Sequence, residues 1–112
     1  MCSIHKEADY EELFKWLRII SEVTTVSKDF PLVYEGQVPN IAVYLEKGQF
    51  VISGEDNRIV EIKDPVVLGL TEILSRTPSE ETIVIAAGSR VSILSFAALK
   101  NDIPDKILPK AI

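Results

Sequence analysis

The first part of the chain carries apolar residues at helical spacing. One stripe consists of Tyr10, Leu13, Phe14, Leu17 and Ile20, and a second set beside it of Trp16, Ile19 and Val23. Apolar positions three or four residues apart are typical of an amphipathic helix. Acidic residues crowd the start of the segment, where the helix dipole favours negative charge. The pattern predicts a helix over residues 7–23.

The apolar arc of this helix is wider than one packing face needs. Two interpretations remain open. The helix lies deep against a sheet, with Trp16 covering the open side of a barrel, or part of the arc faces a second protein. The second interpretation predicts a protein partner or a homodimer, with an interface at Tyr10, Trp16, Ile19 and Val23.

From Phe30 onward, short runs of β-favouring residues alternate with Gly, Asn, Asp and Pro. Such runs are typical of short strands. The strands are predicted at residues 32–34, 41–47, 49–53, 58–62, 66–68, 82–87 and 90–95. Within the second of them, Ile41, Val43 and Leu45 are expected on one face and the alternate residues on the other.

Three turn signals separate these strands. Lys47-Gly48 predicts a tight reversal, because glycine tolerates a positive φ. The stretch "GEDN" at residues 54–57 predicts a second hairpin turn, and Gly88 a third. Many short strands joined by such turns are typical of an antiparallel barrel or jelly roll, so we expect a mainly β fold with flanking helices.

Two shorter helical segments accompany the strands. In the first, Thr71 is a candidate cap and Pro78 prevents continuation, which leaves one or two turns. The second is predicted over residues 95–103 and is broken by Pro104. The N-terminal helix, the strands and this C-terminal helix are expected to form a single domain over residues 1–112.

Composition narrows the classes of function. The 112 residues carry a net charge of −5, which disfavours nucleic acid and anionic membranes as partners. The single cysteine, Cys2, forms no internal disulfide, and with the lone His5 it makes no zinc site. The N-terminus lacks the pattern of a secretory signal, and no apolar run reaches the length of a membrane span. A cytoplasmic protein is expected.

Motifs of common enzymes do not occur in the sequence. There is no Gly-x-Ser-x-Gly motif, phosphate-binding Walker loop or dinucleotide fingerprint. His5 lies close to the terminus, which disfavours a Ser-His-Asp arrangement. A cupin-like metal enzyme would need ligands inside the barrel, and one histidine outside the strands disfavours it. We therefore expect no catalytic residue, no metal and no cofactor.

The order of several short motifs resembles the cyclic nucleotide-binding domain family. The matching residues are Glu35-Gly36-Gln37 in a turn, Tyr44, Leu45 and Gly48 in a hairpin, Leu68-Gly69 and Ile73-Leu74 at the start of a phosphate-binding segment, and Thr82-Ile83-Val84 in its exit strand. The resemblance covers about residues 7 to 103, and it depends on the order and spacing of the motifs together. It implies an antiparallel β-roll.

The resemblance also implies a ligand site in residues 68–84, which we call the cassette. In the family, a short helix points its N-terminus at the cyclic phosphate, an arginine neutralises the phosphate, and a glutamate accepts from the ribose hydroxyl. Here Leu70 stands in place of the glutamate, and Ser79 in place of the arginine. The residues matched to the site are Gly69, Leu70, Thr71, Arg76, Ser79, Glu80, Glu81 and Thr82.

These replacements weaken the expected affinity for a cyclic nucleotide. Hydrogen bonds to charged groups contribute about 1.5–3 kcal/mol each. Losing both contacts should therefore weaken the free energy of binding by about 3–6 kcal/mol, which corresponds to a loss of at least about a hundredfold in affinity. Glu80 and Glu81 would add repulsion toward an anion, whereas Arg76 could replace the missing cation if it turned toward the site.

Two functions follow as expectations. The first is a non-enzymatic regulatory or protein-interaction module that binds cAMP and cGMP weakly or not at all. The alternative is a sensor that binds a cyclic nucleotide by a non-standard route, or another, less anionic small ligand beside Glu80 and Glu81.

Overall fold

The fold consists of antiparallel strands with helices packed on one side. The computed structural model describes residues 3–53 and 57–108. The strands are β1 (Ile4–Lys6), β2 (Thr24–Thr25), β3 (Phe30–Val33), β4 (Ile41–Ser53), β5 (Arg58–Ile62), β6 (Val66–Leu68), β7 (Thr82–Ile85) and β8 (Arg90–Ser95). The helices are α1 (Glu11–Ile20), α2 (Leu70–Ser75) and α3 (Phe96–Asp102). Among the described residues, no helix is long and apolar enough to cross a bilayer.

The strands form two sheets that share β4. In the first sheet the order is β1-β6-β4-β8-β2, and in the second it is β5-β4-β7-β3. Residues 41–47 of β4 pair with β6 and β8, and residues 48–53 pair with β5 and β7. This arrangement confirms the expected mainly β, antiparallel fold with flanking helices.

The predicted reversal at Lys47-Gly48 is wrong. The chain continues through these residues as one strand from Ile41 to Ser53. The register shifts between Leu45 and Lys47, and Gly48 has a φ of 134°. The glycine is needed here because the strand passes from one sheet to the other close to Ser89. A Cβ atom on Gly48 would lie 2.2 Å from the Ser89 Oγ atom.

Two apolar cores lie on opposite faces of the first sheet. The inter-sheet core lies between the sheets and consists of Leu32, Val33, Val43, Leu45, Phe50, Ile52, Val66, Leu68, Ile83, Ile85 and Val91. The helix-side core lies beneath the helices and consists of Leu13, Phe14, Leu17, Ala42, Tyr44, Val67, Leu70, Ile73, Leu94, Leu99, Ile103 and Leu108. The predicted alternation over residues 41–45 of β4 is therefore confirmed, and both faces of this part of the strand are covered by apolar side chains.

The N-terminal helix is shorter than residues 7–23. Glu7–Asp9 forms a 3-10 turn, and Tyr10 breaks the helical path with φ −143° and ψ 54°. The α-helix begins at Glu11, and Ser21 ends it with an extended ψ of 135°. The apolar spacing continues beyond both ends of the helix because the flanking residues pack on the same core.

Most of the strand predictions agree with the structure. The strands at 58–62, 66–68 and 90–95 are confirmed, and those at 32–34 and 82–87 are shifted or shortened by a few residues. The turn at Gly88 is confirmed, with φ 87°. Most of the predicted turn at 54–57 lies outside the described residues, although β4 and β5 pair as a hairpin requires.

Two strands have no counterpart in the sequence prediction. β1 has three residues and β2 has two, which is too short for a period-two pattern to be recognised. The helix predicted over 95–103 is confirmed as Phe96–Asp102, with Ser95 as its cap.

Candidate functional site

The cassette runs from the end of β6 through α2 to the start of β7. Gly69 precedes α2 with a φ of 78°, and its carbonyl oxygen accepts from the Ile73 N–H group at 3.1 Å. Leu70 and Ile73 are fully buried in the helix-side core. Arg76 ends the helix in the left-handed conformation, with φ 56°. These contacts fix α2 as a short helix of Leu70–Ser75, in line with the one or two turns that the sequence predicts.

The start of α2 is held by the N-terminal segment of the chain. Thr71 does not cap the helix, because Gly69 is the N-cap and makes no side-chain cap hydrogen bond. Instead the Thr71 N–H group donates to the Ser3 Oγ atom at 3.2 Å. The Gly69 N–H group donates to the Ser3 carbonyl oxygen at 3.1 Å. Two of the backbone donors at this end of the helix are therefore satisfied by Ser3.

Ser3 also binds the carboxylate of Glu72. The Ser3 Oγ atom donates to Glu72 Oε1 at 2.6 Å, and the Ser3 N–H group lies 3.2 Å and 3.1 Å from the two carboxylate oxygens. Glu72 is only 8 % exposed. A buried carboxylate needs such donors, because an unpaired charge in this environment is strongly unfavourable. The hydrogen bonds between Ser3 and Glu72 therefore connect the start of β1 to the cassette.

Ser79 lies buried where the resemblance places the phosphate-binding arginine. It is 2 % exposed, and its Oγ atom donates to the Glu81 carbonyl oxygen at 2.7 Å. Its backbone carbonyl accepts from the Gly36 N–H group, and its N–H group donates to the Gln37 carbonyl oxygen, both at 2.8 Å. The turn around Gly36 is therefore joined directly to the cassette.

A second connection links the same turn to β7. The Glu35 N–H group donates to the Thr82 Oγ1 atom at 2.9 Å. Glu81 is half-buried, whereas Glu80 is exposed. The two glutamates follow Ser79 in the loop before β7.

The guanidinium group of Arg76 faces α3 rather than the cassette. Its Cζ atom lies 5.8 Å from the centre of the Phe96 ring, a distance typical of a cation–π contact. The Lys100 amino group lies at the same distance from this ring. Arg76 therefore packs against the first turn of α3.

A cavity of about 440 Å³ lies beside the cassette. Its lining consists of Leu32, Val33, Gln37, Val38, Pro39, Asn40 and Ile41, with no charged side chain among these described residues. A Cβ atom on Gly69 would lie 3.7 Å from the Leu32 Cδ2 atom and 3.8 Å from the Ile41 carbonyl oxygen. The cavity therefore adjoins the N-cap of α2, and its polar groups are amides.

The four residues predicted as an interface do not form one exposed patch. Tyr10, Trp16 and Val23 pack against the helix-side core. Ile19 points away from that core and is 77 % exposed. Of these residues, Ile19 alone offers a large apolar surface to a second protein.

His5, which the sequence places close to the terminus, is a buried residue of β1. It is 7 % exposed, and its ring contacts the Tyr10 ring edge-on at 4.8 Å between centres. Burial lowers the pKa of His5 below its ordinary value of 6.5, while the nearby Glu72 carboxylate acts in the opposite direction. The Nδ1 atom has no hydrogen-bond partner among the described residues. The sequence gives no signal for the role of Ser3, because its partners Gly69, Thr71 and Glu72 lie far along the chain.

The described residues, 3–53 and 57–108, contain no group of three or more His, Cys, Asp or Glu residues that could hold a metal ion. Comparison with protein-family models found no matching family, and comparison with curated proteins found no matching relative.

Proposed function

We propose that the chain is a non-enzymatic regulatory or protein-interaction module of the cyclic nucleotide-binding type, with a cassette that does not hold a cyclic nucleotide in the usual way. The observation that carries this proposal is the burial of Ser79. Ser79, which stands in place of the arginine in the resemblance, is buried, and its backbone is hydrogen-bonded to the turn at Gly36 and Gln37.

Two further features of the cassette support this proposal. Leu70, in the place of the ribose-binding glutamate, is fully buried in the helix-side core and offers no acceptor. Arg76, the nearest candidate cation, contacts the Phe96 ring and would have to leave it to reach an anion. An anionic ligand in the cassette would therefore lack both the glutamate and the arginine that the resemblance assigns to ligand binding.

Titration calorimetry with cAMP and cGMP tests the proposal. We expect no saturable binding by the wild-type protein, since the lost contacts correspond to at least about a hundredfold in affinity. Arg76→Gln should leave the titration unchanged, as should Arg58→Gln, a matched change of an exposed arginine on β5. Micromolar binding that is lost in Arg76→Gln and kept in Arg58→Gln would contradict the proposal.

A second candidate function is a sensor of a small, uncharged ligand. The cavity of about 440 Å³ beside Gly69 favours it, because the lining provides amides from Gln37 and Asn40 and no charge. A saturating ligand would raise the midpoint of thermal unfolding. A thermal-shift screen of neutral metabolites against the wild type and Asn40→Ala would detect such a ligand. An absence of any shift in the wild type would exclude this candidate for the compounds screened.

A further inference from the structure

A groove of about 660 Å³ lies between the open edges of the two sheets. We call it the edge groove; it is lined by Ile4, Lys6, Glu7, Ala8 and residues 60–66. β1 forms one edge of the first sheet and β5 one edge of the second. Sites for small ligands in proteins commonly have volumes of about 300–1,000 Å³ and are lined mainly by apolar side chains. The edge groove has a suitable size.

The floor of the edge groove continues the inter-sheet core. Ile4 pairs with Leu68 in the β1–β6 ladder, so its side chain lies on the face that carries the inter-sheet core. Val60 and Ile62 alternate along β5 and also pack against that core. These three side chains are only partly buried. Apolar surface therefore remains accessible in the groove.

The rim of the edge groove carries two lysines, Lys6 at the end of β1 and Lys63 after β5. Both are exposed. Neither makes an ion pair or a side-chain hydrogen bond within the part of the chain that the structure describes. Lys6 lies on the same strand face as Ile4, directly beyond the apolar floor.

The acidic residues that line the edge groove neutralise only part of the positive charge of these two lysines. Glu7 is already paired with Arg18. Glu61 alternates with Val60 and Ile62 and pairs in register with Gln49, so its side chain lies on the opposite face of the second sheet. Asp64 is the remaining acid, on the exposed β5–β6 connection. Lys63 follows Ile62 in the bend after β5, where strand alternation no longer sets its direction. Lys6 and Lys63 therefore remain as rim cations that make no ion pair among the described residues.

From this geometry we propose that the edge groove binds a small amphiphile with an anionic head group. The apolar body lies on Ile4, Val60 and Ile62, and the head group contacts Lys6 and Lys63. The chemistry is that of a medium-chain carboxylate. This site is distinct from the cavity beside the cassette, whose lining is uncharged, and the proposal does not depend on the proposed function.

Calorimetry with dodecanoate below its micellar concentration tests this proposal. We expect saturable binding of one molecule per chain. The double variant Lys6→Gln/Lys63→Gln should bind at least about tenfold more weakly, which corresponds to about 1.4 kcal/mol. The matched double variant Lys28→Gln/Lys47→Gln changes two lysines outside the groove and should bind like the wild type. Dodecyltrimethylammonium, with the same chain and a positive head, should also bind at least about tenfold more weakly.

Methyl NMR of the wild-type protein locates the bound molecule. Shifts on addition of dodecanoate should concentrate at Ile4, Val60 and Ile62. The proposal is overturned by a lack of saturable binding to the wild type, by equal affinity in the Lys6→Gln/Lys63→Gln variant, by equal affinity for the cationic compound, or by shifts confined to Leu32 and Ile41 in the other cavity. None of these results changes what is expected of cAMP and cGMP.

Discussion

Ser3 connects the start of the chain to the cassette through both its backbone and its side chain. It accepts from the N–H groups of Gly69 and Thr71, and it donates to the buried Glu72 carboxylate. These groups are close in space and far apart along the chain. The sequence alone shows that Leu70 replaces the expected glutamate, because the family motif specifies which residue type stands at that position. The role of Ser3 cannot be predicted in this way, because local patterns do not encode contacts between residues separated by more than sixty positions.

His5 makes the stability of the protein depend on pH near neutrality. Its folded-state pKa is lowered from 6.5 chiefly by burial. Below about pH 6.5 the unfolded chain therefore binds more protons than the folded protein, and the free energy of unfolding falls until the folded-state pKa is reached. We predict that the free energy of unfolding decreases from about pH 7.5 to about pH 5.5 in the wild type and decreases less in His5→Gln.

Urea unfolding of both proteins at each pH measures this difference. His5 is the one histidine of the chain, so no second imidazole contributes to the comparison. Equal slopes for the wild type and His5→Gln would show that the buried imidazole does not control the response.

β4 differs most among the elements from what the sequence predicts. Glycine is common in tight turns, and the prediction of a reversal at Lys47-Gly48 used that signal alone. In the structure, the same positive φ lets a continuous strand leave one sheet and enter the other. A glycine signal specifies an unusual backbone angle, but it does not specify whether the chain turns back. The strands with clear alternation and turn residues at both ends, such as 58–62 and 90–95, were predicted correctly.

Gly48→Ala should destabilise the protein strongly. The added Cβ atom would lie 2.5 Å from the Ser89 Cβ atom and 2.7 Å from its Cα atom, so the backbone itself would have to move. Because this steric overlap adds to the strain of a positive φ, we expect the free energy of unfolding to fall by about 3 kcal/mol or more.

Gly88→Ala is the matched control for this change. Gly88 also has a positive φ, of 87°, but no atom lies within 4 Å of its Cβ position. Its replacement should therefore cost only the conformational strain, about 1–2 kcal/mol. Urea unfolding measures both variants, and equal losses would mean that contact with Ser89 is unimportant.

At the scale of the whole molecule, the sequence does not determine which surface would contact a partner protein. The helical stripe suggested Trp16 together with Ile19, but Trp16 packs on the helix-side core and Ile19 does not. A one-dimensional pattern cannot separate these roles, because the width of the buried face depends on how α1, α3 and the first sheet pack together. Within the predicted interface, Ile19 is therefore the residue at which self-association is tested.

If the protein forms a homodimer through α1, Ile19→Glu should convert it to a monomer. The substitution places a charge in a surface that would lose its water on association. Ile59→Glu is the control, since Ile59 is 70 % exposed and lies on β5 in the second sheet. Sedimentation velocity measures the mass of each variant. A dimer that persists in Ile19→Glu, or that dissociates equally in Ile59→Glu, would exclude α1 as the specific interface.

The pairing of the strands has a consequence for synthesis of the protein on the ribosome. Within the described part of the chain, every strand ladder joins a strand that ends by Ser53 to one that begins at Arg58 or later. The nascent first half, including the whole of β4, thus has no partner strand until β5, the next strand along the chain, has emerged from the exit tunnel. The other ladders of β4 need β6, β7 and β8, so its apolar side chains stay exposed to aggregation until these later strands have emerged.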